Sequence, residues 1–149
     1  MGGKSMSHKW DGRMLELADL IATWSKDPGA SIGAVIVDNN NRVVSLGFNG
    51  FPQKVRDDAG ILQDRERKLK RTIHAEENAL LFAQRSVEGF TMYINAHPCA
   101  RCTAKLIQAG ITRVVCGELD EDFQKRWAEE FEEASSMLAE ARVVLEVRP

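Results

Sequence analysis

The chain has 149 residues, of which 44% are hydrophobic and 28% charged, with a formal net charge of −2 and a pI near 5.9. That is the length and composition of one ordinary globular domain, and the missing basic excess disfavours a long nucleic acid as partner. Three cysteines are too few for a disulfide framework, no apolar run approaches the roughly 18 residues of a membrane span, and the N-terminus lacks the apolar core of a signal peptide, so a cytoplasmic protein with no membrane partner is expected.

Met1 to Lys9 reads as a flexible tail, and residues 10–149 as a single domain. Gly3-Lys4-Ser5 has the ending of a phosphate loop but neither its upstream glycine nor its flanking strand. Trp10 to Ser25 carries Met14, Leu17, Leu20, Ile21 and Trp24 at helical spacing, and Ser25-Lys26-Asp27-Pro28-Gly29 stops that helix. Lys26 is either a solvated loop lysine or a contact to a substrate phosphate. Ile32 to Val37 is a β-branched strand, Asp38 to Asn41 a tight turn, and Arg42 to Phe48 the return strand. Gly47-Phe48-Asn49-Gly50-Phe51-Pro52 leaves it as a turn whose glycines let the backbone approach something closely. Asn49 has the donor and acceptor that suit a sugar hydroxyl, or it is a turn residue in a left-handed conformation.

Arg56 to Arg71 is densely charged, which describes a solvated face or the cover of a site mouth. A helix is expected over His74 to Arg85, a strand over Thr91 to Asn95, and a helix over Ala100 to Ala109 closed by Gly110. A buried strand over Ile111 to Cys116, a long amphipathic helix over Asp122 to Glu140 and a last strand over Arg142 to Val147 complete the chain. Strands alternating with helices predict an α/β fold: a three-layer α-β-α sandwich with a five-stranded mixed sheet and helices on both faces.

Two stretches carry chemistry, Thr72-Ile73-His74-Ala75-Glu76-Glu77-Asn78-Ala79 and His97-Pro98-Cys99-Ala100-Arg101-Cys102. His74, Cys99 and Cys102 supply three zinc ligands, the number a catalytic site uses when water takes the fourth position. A C-x-x-C pair at a helix start meets free backbone N–H groups and a dipole that favour thiolate. Bound zinc lowers the pKa of its water from 15.7 to about 7, and Glu76, two residues beyond His74, is placed to move protons without being a ligand. A closed structural zinc would need a fourth ligand, and Cys116 reads as a buried strand position. An isolated C-x-x-C is more often structural or redox; H-x-E joined to P-C-x-x-C is far more specific and is the signature of zinc nucleobase deaminases.

With these residues in view, the chain resembles the deoxycytidylate deaminases of the cytidine deaminase superfamily from about Met14 to about Val147. The carriers are Ser25-Lys26-Asp27-Pro28, Ile32-Gly33-Ala34-Val35-Ile36-Val37, Gly47-Phe48-Asn49-Gly50-Phe51-Pro52, the His74-Ala75-Glu76 and Pro98-Cys99 motifs, and Leu106-Ile107 with Ala109-Gly110-Ile111. The resemblance implies a cytidine deaminase-like fold and hydrolytic conversion of dCMP to dUMP and ammonia, supplying dUMP for thymidylate synthesis. It implies Glu76 as catalytic residue, backbone near Ala75 and Cys99 on the base edge, Asn49 on the deoxyribose, Lys26 on the 5′-phosphate, and His97 lining the pocket or supporting it. It also implies one catalytic Zn²⁺ per subunit, a homohexamer, and activation by dCTP and inhibition by dTTP, with Mg²⁺ accompanying the nucleotide effectors. The effector loop corresponds to Gly47, Asn49 and Gly50. The chain departs from phage-type relatives between Phe51 and Ile73, where no His or Cys could hold a second zinc.

Other readings are a superfamily sibling deaminating another free base, nucleoside or nucleotide, and a non-catalytic zinc-containing dCTP/dTTP sensor. A tRNA-directed sibling would need a basic face, and the free-cytidine branch usually has Cys where His74 stands. A sensor has no use for the proton shuttle Glu76.

Overall fold

The computed structural model describes residues 2–118 and 121–148; the side chains of residues 2–8 lie outside the description, as do Met1 of the expected tail and Pro149 of the expected domain. The elements are α1 (Gly2–Ala22), β1 (Gly33–Val37), β2 (Val43–Phe48), α2 (Ala59–Gln63), α3 (Arg65–Arg71), α4 (Ala75–Ala83), β3 (Thr91–Ile94), α5 (Ala100–Gln108), β4 (Arg113–Gly117), α6 (Glu121–Arg126), α7 (Ala128–Glu140) and β5 (Val144–Arg148).

The five strands form one sheet in the order β2-β1-β3-β4-β5. β1 runs antiparallel to both β2 and β3, whereas β3, β4 and β5 are parallel. All five residues of β1 are buried, because helices cover both faces of that strand. Met14, Ala18 and Ile21 of α1 pack on Val35, Val37, Tyr93 and Val115 from one side. Ala75 and Ala79 of α4, Leu106 of α5 and Leu138 of α7 pack on Ala34, Ile36, Met92, Ile94 and Val114 from the other. The result is the expected three-layer sandwich. Among the described residues no helix is long and apolar enough to cross a membrane.

Three expectations about the elements change. The backbone of residues 2–9 continues α1, where the sequence suggested a tail; no proline interrupts the stretch and its helical hydrogen bonding runs through. At its other end α1 stops at Ala22, and Thr23, Trp24 and Ser25 tighten into bonds to carbonyls three residues back. The single helix expected over 122–140 is broken at Trp127, whose backbone leaves the helical region (φ −111, ψ 13). The Trp127 N–H still bonds Phe123 O at 3.1 Å and the Phe131 N–H bonds Trp127 O at 3.0 Å, and the rings of Phe123 and Phe131 stand 6.0 Å apart, so the break is a local irregularity between α6 and α7.

The charged 56–71 stretch forms α2 and α3. Asp58 caps α2 by accepting from the Ile61 N–H, and Asp64 caps α3 by accepting from the Arg67 N–H. Lys68 then reaches back to Asp27 at 2.8 Å, a largely buried ion pair that holds α3 against the loop after α1. Gly110 closes the turn after α5 with a left-handed backbone (φ +94).

Candidate metal centre and active site

One histidine and a cysteine pair distant from it in sequence meet where α4 and α5 begin, beyond the carboxyl end of β3. His74 is the N-cap of α4 and Cys99 the N-cap of α5, both with extended backbone. Pro98 stands just before that cap, not inside the first turn. Cys102 follows in the first turn of α5, its backbone N–H donating to Cys99 Sγ at 3.4 Å. His74 Nδ1 lies 3.1 Å from Cys102 Sγ and 3.5 Å from Cys99 Sγ. All three ligand atoms fall within 4.8 Å of one another, the one such cluster of His, Cys, Asp and Glu among the described residues. Zinc bonds of about 2.3 Å to sulfur and about 2.0 Å to nitrogen set tetrahedral ligand atoms roughly 3.5 Å apart, so the donor set and its spacing fit Zn²⁺.

Glu76, on the first turn of α4, is only 5% exposed although His74 two residues earlier faces solvent. Burial raises its carboxyl to about 7; a hydrogen bond to its own backbone, the His74 charge and a hydrogen bond with Cys102 offset part of that rise. The hydrogen bond from Cys102 holds the Cys99 thiol down at about 4, helped by His74 and against burial. The same hydrogen bond, with burial and the nearby carboxylates, pushes Cys102 up. His74 is raised, chiefly by its hydrogen bond to Cys99.

The turn leaving β2 runs past this site. Gly50 and Ile73 exchange both backbone hydrogen bonds, at 3.1 and 2.8 Å, which brings the turn beside the residue preceding His74. Asn49 is 6% exposed. Its Oδ1 accepts from the Ile32 N–H at 2.9 Å and its Nδ2 donates to the Ala30 carbonyl at 2.8 Å, which uses the oxygen and one of two amide hydrogens. Its φ is not positive, so a left-handed turn is not its reason for being there. A Cβ on Gly47 would fall 2.5 Å from Ala75 O and Ala79 N, so the close backbone approach there is to α4, while a Cβ on Gly50 would meet open space.

Lys26 pairs with Asp57 at 2.8 Å in the open. Both line a cavity of about 240 Å³ together with Asn49, Trp24, Phe51 and Thr72. His97 turns toward α7: its ring packs 4.5 Å from Phe131, Nε2 lies 3.4 Å from Ser135 Oγ, and Nδ1 lies 2.9 Å from Pro98 O. Burial lowers its pKa. Ala75 is fully buried at the start of α4.

Two carboxylates without a role in the zinc motif hold the helix starts. Glu77 Oε1 accepts the His74 backbone N–H at 3.0 Å, closing a capping box, and its other oxygen pairs with Lys105 of α5. Three-residue spacing from a cap to a Glu was a legible signal for the first contact. Glu130 of α7 accepts the Ala100 N–H at 3.0 Å, a contact across two helices that no local pattern announces.

Residues 8–118 match the family described as the cytidine and deoxycytidylate deaminase zinc-binding region. The chain belongs to this family. It is a deaminase, and the matched region contains the His74, Cys99 and Cys102 cluster, which could hold a metal ion. The deaminase is 46% identical over 138 residues to a protein of Aliivibrio fischeri called "Uncharacterized deaminase in luxG 3'region", covering 93% of this chain and 92% of that one. It is 36% identical over 115 residues to the deoxycytidylate deaminase of Homo sapiens, covering 72% of this chain and 64% of the human protein. In fold it resembles the dCMP deaminase of the cyanophage S-TIM5, seen in complex with dCMP and dUMP, with a TM-score of 0.73 at 23% identity over 90% of this chain and 93% of that one.

Proposed function

We propose that this deaminase converts dCMP and water to dUMP and ammonia, with zinc held by His74, Cys99 and Cys102. The observation that carries the reading is a buried carboxyl, raised to about 7, directly beside a three-donor zinc set in a chain of this family. A group titrating near neutrality can both take and return a proton at working pH. Zinc, when bound, supplies a water acidified to near pH 7.

Glu76 takes a proton from the hydrolytic water and delivers it to ring N3; it then takes the proton of the new C4 hydroxyl and passes it to the amine, which leaves as ammonia while C4 becomes a carbonyl. Backbone groups at Ala75 and Cys99 hold the base edge. Asn49 offers its remaining amide hydrogen to the sugar hydroxyl, with Lys26 on the phosphate at the rim of the same cavity. His97 supports the Cys99 loop from behind through α7. Asn49 and Lys26 sharing one cavity supports a nucleotide over a free base. Regulation by dCTP and dTTP with Mg²⁺, through the turn at Gly47, Asn49 and Gly50, is carried by the resemblance; Gly50 is the member of that turn with space beside it. A groove of about 710 Å³, lined by Leu46, Phe48, Phe51, Leu81 and Phe82, supports assembly toward a hexamer.

The test is ammonia release from dCMP, deoxycytidine, cytidine and dCTP by zinc-loaded protein, with and without dCTP or dTTP as effector. Turnover restricted to dCMP is expected; preferential turnover of another substrate overturns the dCMP reading. A protein that binds nucleotide equally well as wild type and as Glu76→Ala, with no turnover by either, would instead be a sensor.

A further inference from the structure

The two helices that carry the zinc ligands are also tied to each other by side chains that bind nothing themselves. Glu77 lies three residues beyond His74 on α4, and Lys105 lies three residues beyond Cys102 on α5. Residues three apart share a helix face, so each partner stands one turn behind a ligand on the side facing the other helix. Glu77 uses one oxygen on the His74 backbone N–H, at 3.0 Å, and the other on the Lys105 ammonium. One carboxylate therefore links the backbone of the histidine ligand to the helix of both cysteine ligands. His74 faces solvent, so side-chain packing does little to hold it in place.

We infer that Glu77 and Lys105 are positioning residues that set the distance between His74 and the cysteine pair, and that this cross-brace raises zinc affinity. The inference rests on the zinc reading above. The pair is partly solvated, with Lys105 46% and Glu77 23% exposed at the side chain, so its effect on folding is small. Its effect on the metal is larger, because partners that orient ligands change metal affinity by 10- to 100-fold in comparable sites. A solvated brace belongs near the lower end of that span.

The experiment compares wild type, Glu77→Gln, Lys105→Met, Lys105→Arg and the Glu77→Gln/Lys105→Met double variant. Zinc affinity is measured by competition with a chromophoric chelator, and the visible spectrum is recorded after cobalt(II) substitution. Glu77→Gln keeps an oxygen for the His74 N–H but loses the ion pair. Both Glu77→Gln and Lys105→Met are expected to weaken zinc by about tenfold with altered cobalt bands. The double variant should be no worse than either, Lys105→Arg should recover most of the loss, and the metal-free melting temperatures should stay together. Wild-type affinity and spectrum in Lys105→Met overturn the brace, as do additive losses in the double variant. Failure of wild type to bind one zinc would overturn the zinc reading itself, a result distinct from either.

Discussion

Glu76 and His74 are two residues apart, yet one is buried and the other faces solvent, because the helix start turns between them. This lets one short stretch place a nitrogen donor beside the two cysteines and, two residues on, a buried carboxyl raised to about 7. Glu76→Gln keeps the shape and removes the proton transfer, so kcat should fall about 10²- to 10⁴-fold. Metal analysis should still return one zinc per chain; loss of zinc together with activity would make Glu76 a ligand or a structural group. Gly47→Ala acts at the same scale by sterics. The added methyl meets the α4 backbone at Ala75 and Ala79, where nothing flexible can yield. Overpacking of this kind costs about 1–3 kcal/mol, readable as a lower denaturant midpoint with an unchanged slope.

Among the elements, a buried ionic cluster ties α1 to the sheet. Asp11 is fully buried and accepts from Tyr93 Oη at 2.7 Å and from two nitrogens of Arg113 at 2.9 and 2.6 Å; Arg113 in turn reaches Glu146 of β5. Burial alone would raise the Asp11 carboxyl, but hydrogen bonds from Arg113 and Tyr93 and the charges of Arg113 and Arg148 together hold it below its ordinary 3.8. A depressed folded-state pKa means that the stability it contributes is complete above pH 3.8 and is lost as pH falls below that toward the folded value. Asp11→Ala should cost about 2 kcal/mol at pH 7, because it removes the charge-assisted hydrogen bonds from Tyr93 and Arg113, although Arg113 keeps Glu146. Its stability should also fall less steeply than wild type below about pH 4; parallel acid limbs in urea titrations would remove Asp11 from the pH dependence. The elements were legible to different degrees. The strands and α5 follow from β-branched runs and a glycine stop. The caps Asp58 and Asp64 were present in the charged stretch, but the density of charge hid them. The break at Trp127 leaves no mark in the apolar stripe, which runs on through Phe123, Trp127 and Phe131.

For the whole molecule, the sandwich was readable from alternation, whereas the strand order β2-β1-β3-β4-β5 rests on pairing between distant segments that no local pattern records. The site divides the same way. That His74, Cys99 and Cys102 would come together was legible because zinc chemistry imposes such spacing, and their ligand atoms lie within 4.8 Å of one another. Glu77 with Lys105 and Glu130 with Ala100 depend on how helices lie against each other. Assembly belongs to this scale too. Leu81 and Phe82 of α4 are 65% and 52% exposed, a poor arrangement for an isolated chain. If the proposed assembly uses this face, Phe82→Asp should leave the fold intact and lower the mass seen by light scattering; an unchanged mass would remove this face from the proposal.

The paired backbone bonds between Gly50 and Ile73 close residues 51–72 into a loop whose two ends are pinned to each other. Once the ends are pinned, doubling such a loop costs only about 0.6 kcal/mol in closure entropy. The α2–α3 excursion is therefore an exchangeable cassette. It could be lengthened, shortened or recharged while Asn49 and His74 stay in register, so the wall that Asp57, Leu62 and Thr72 lend to the cavity of Lys26 and Asn49 can change without moving the metal cluster.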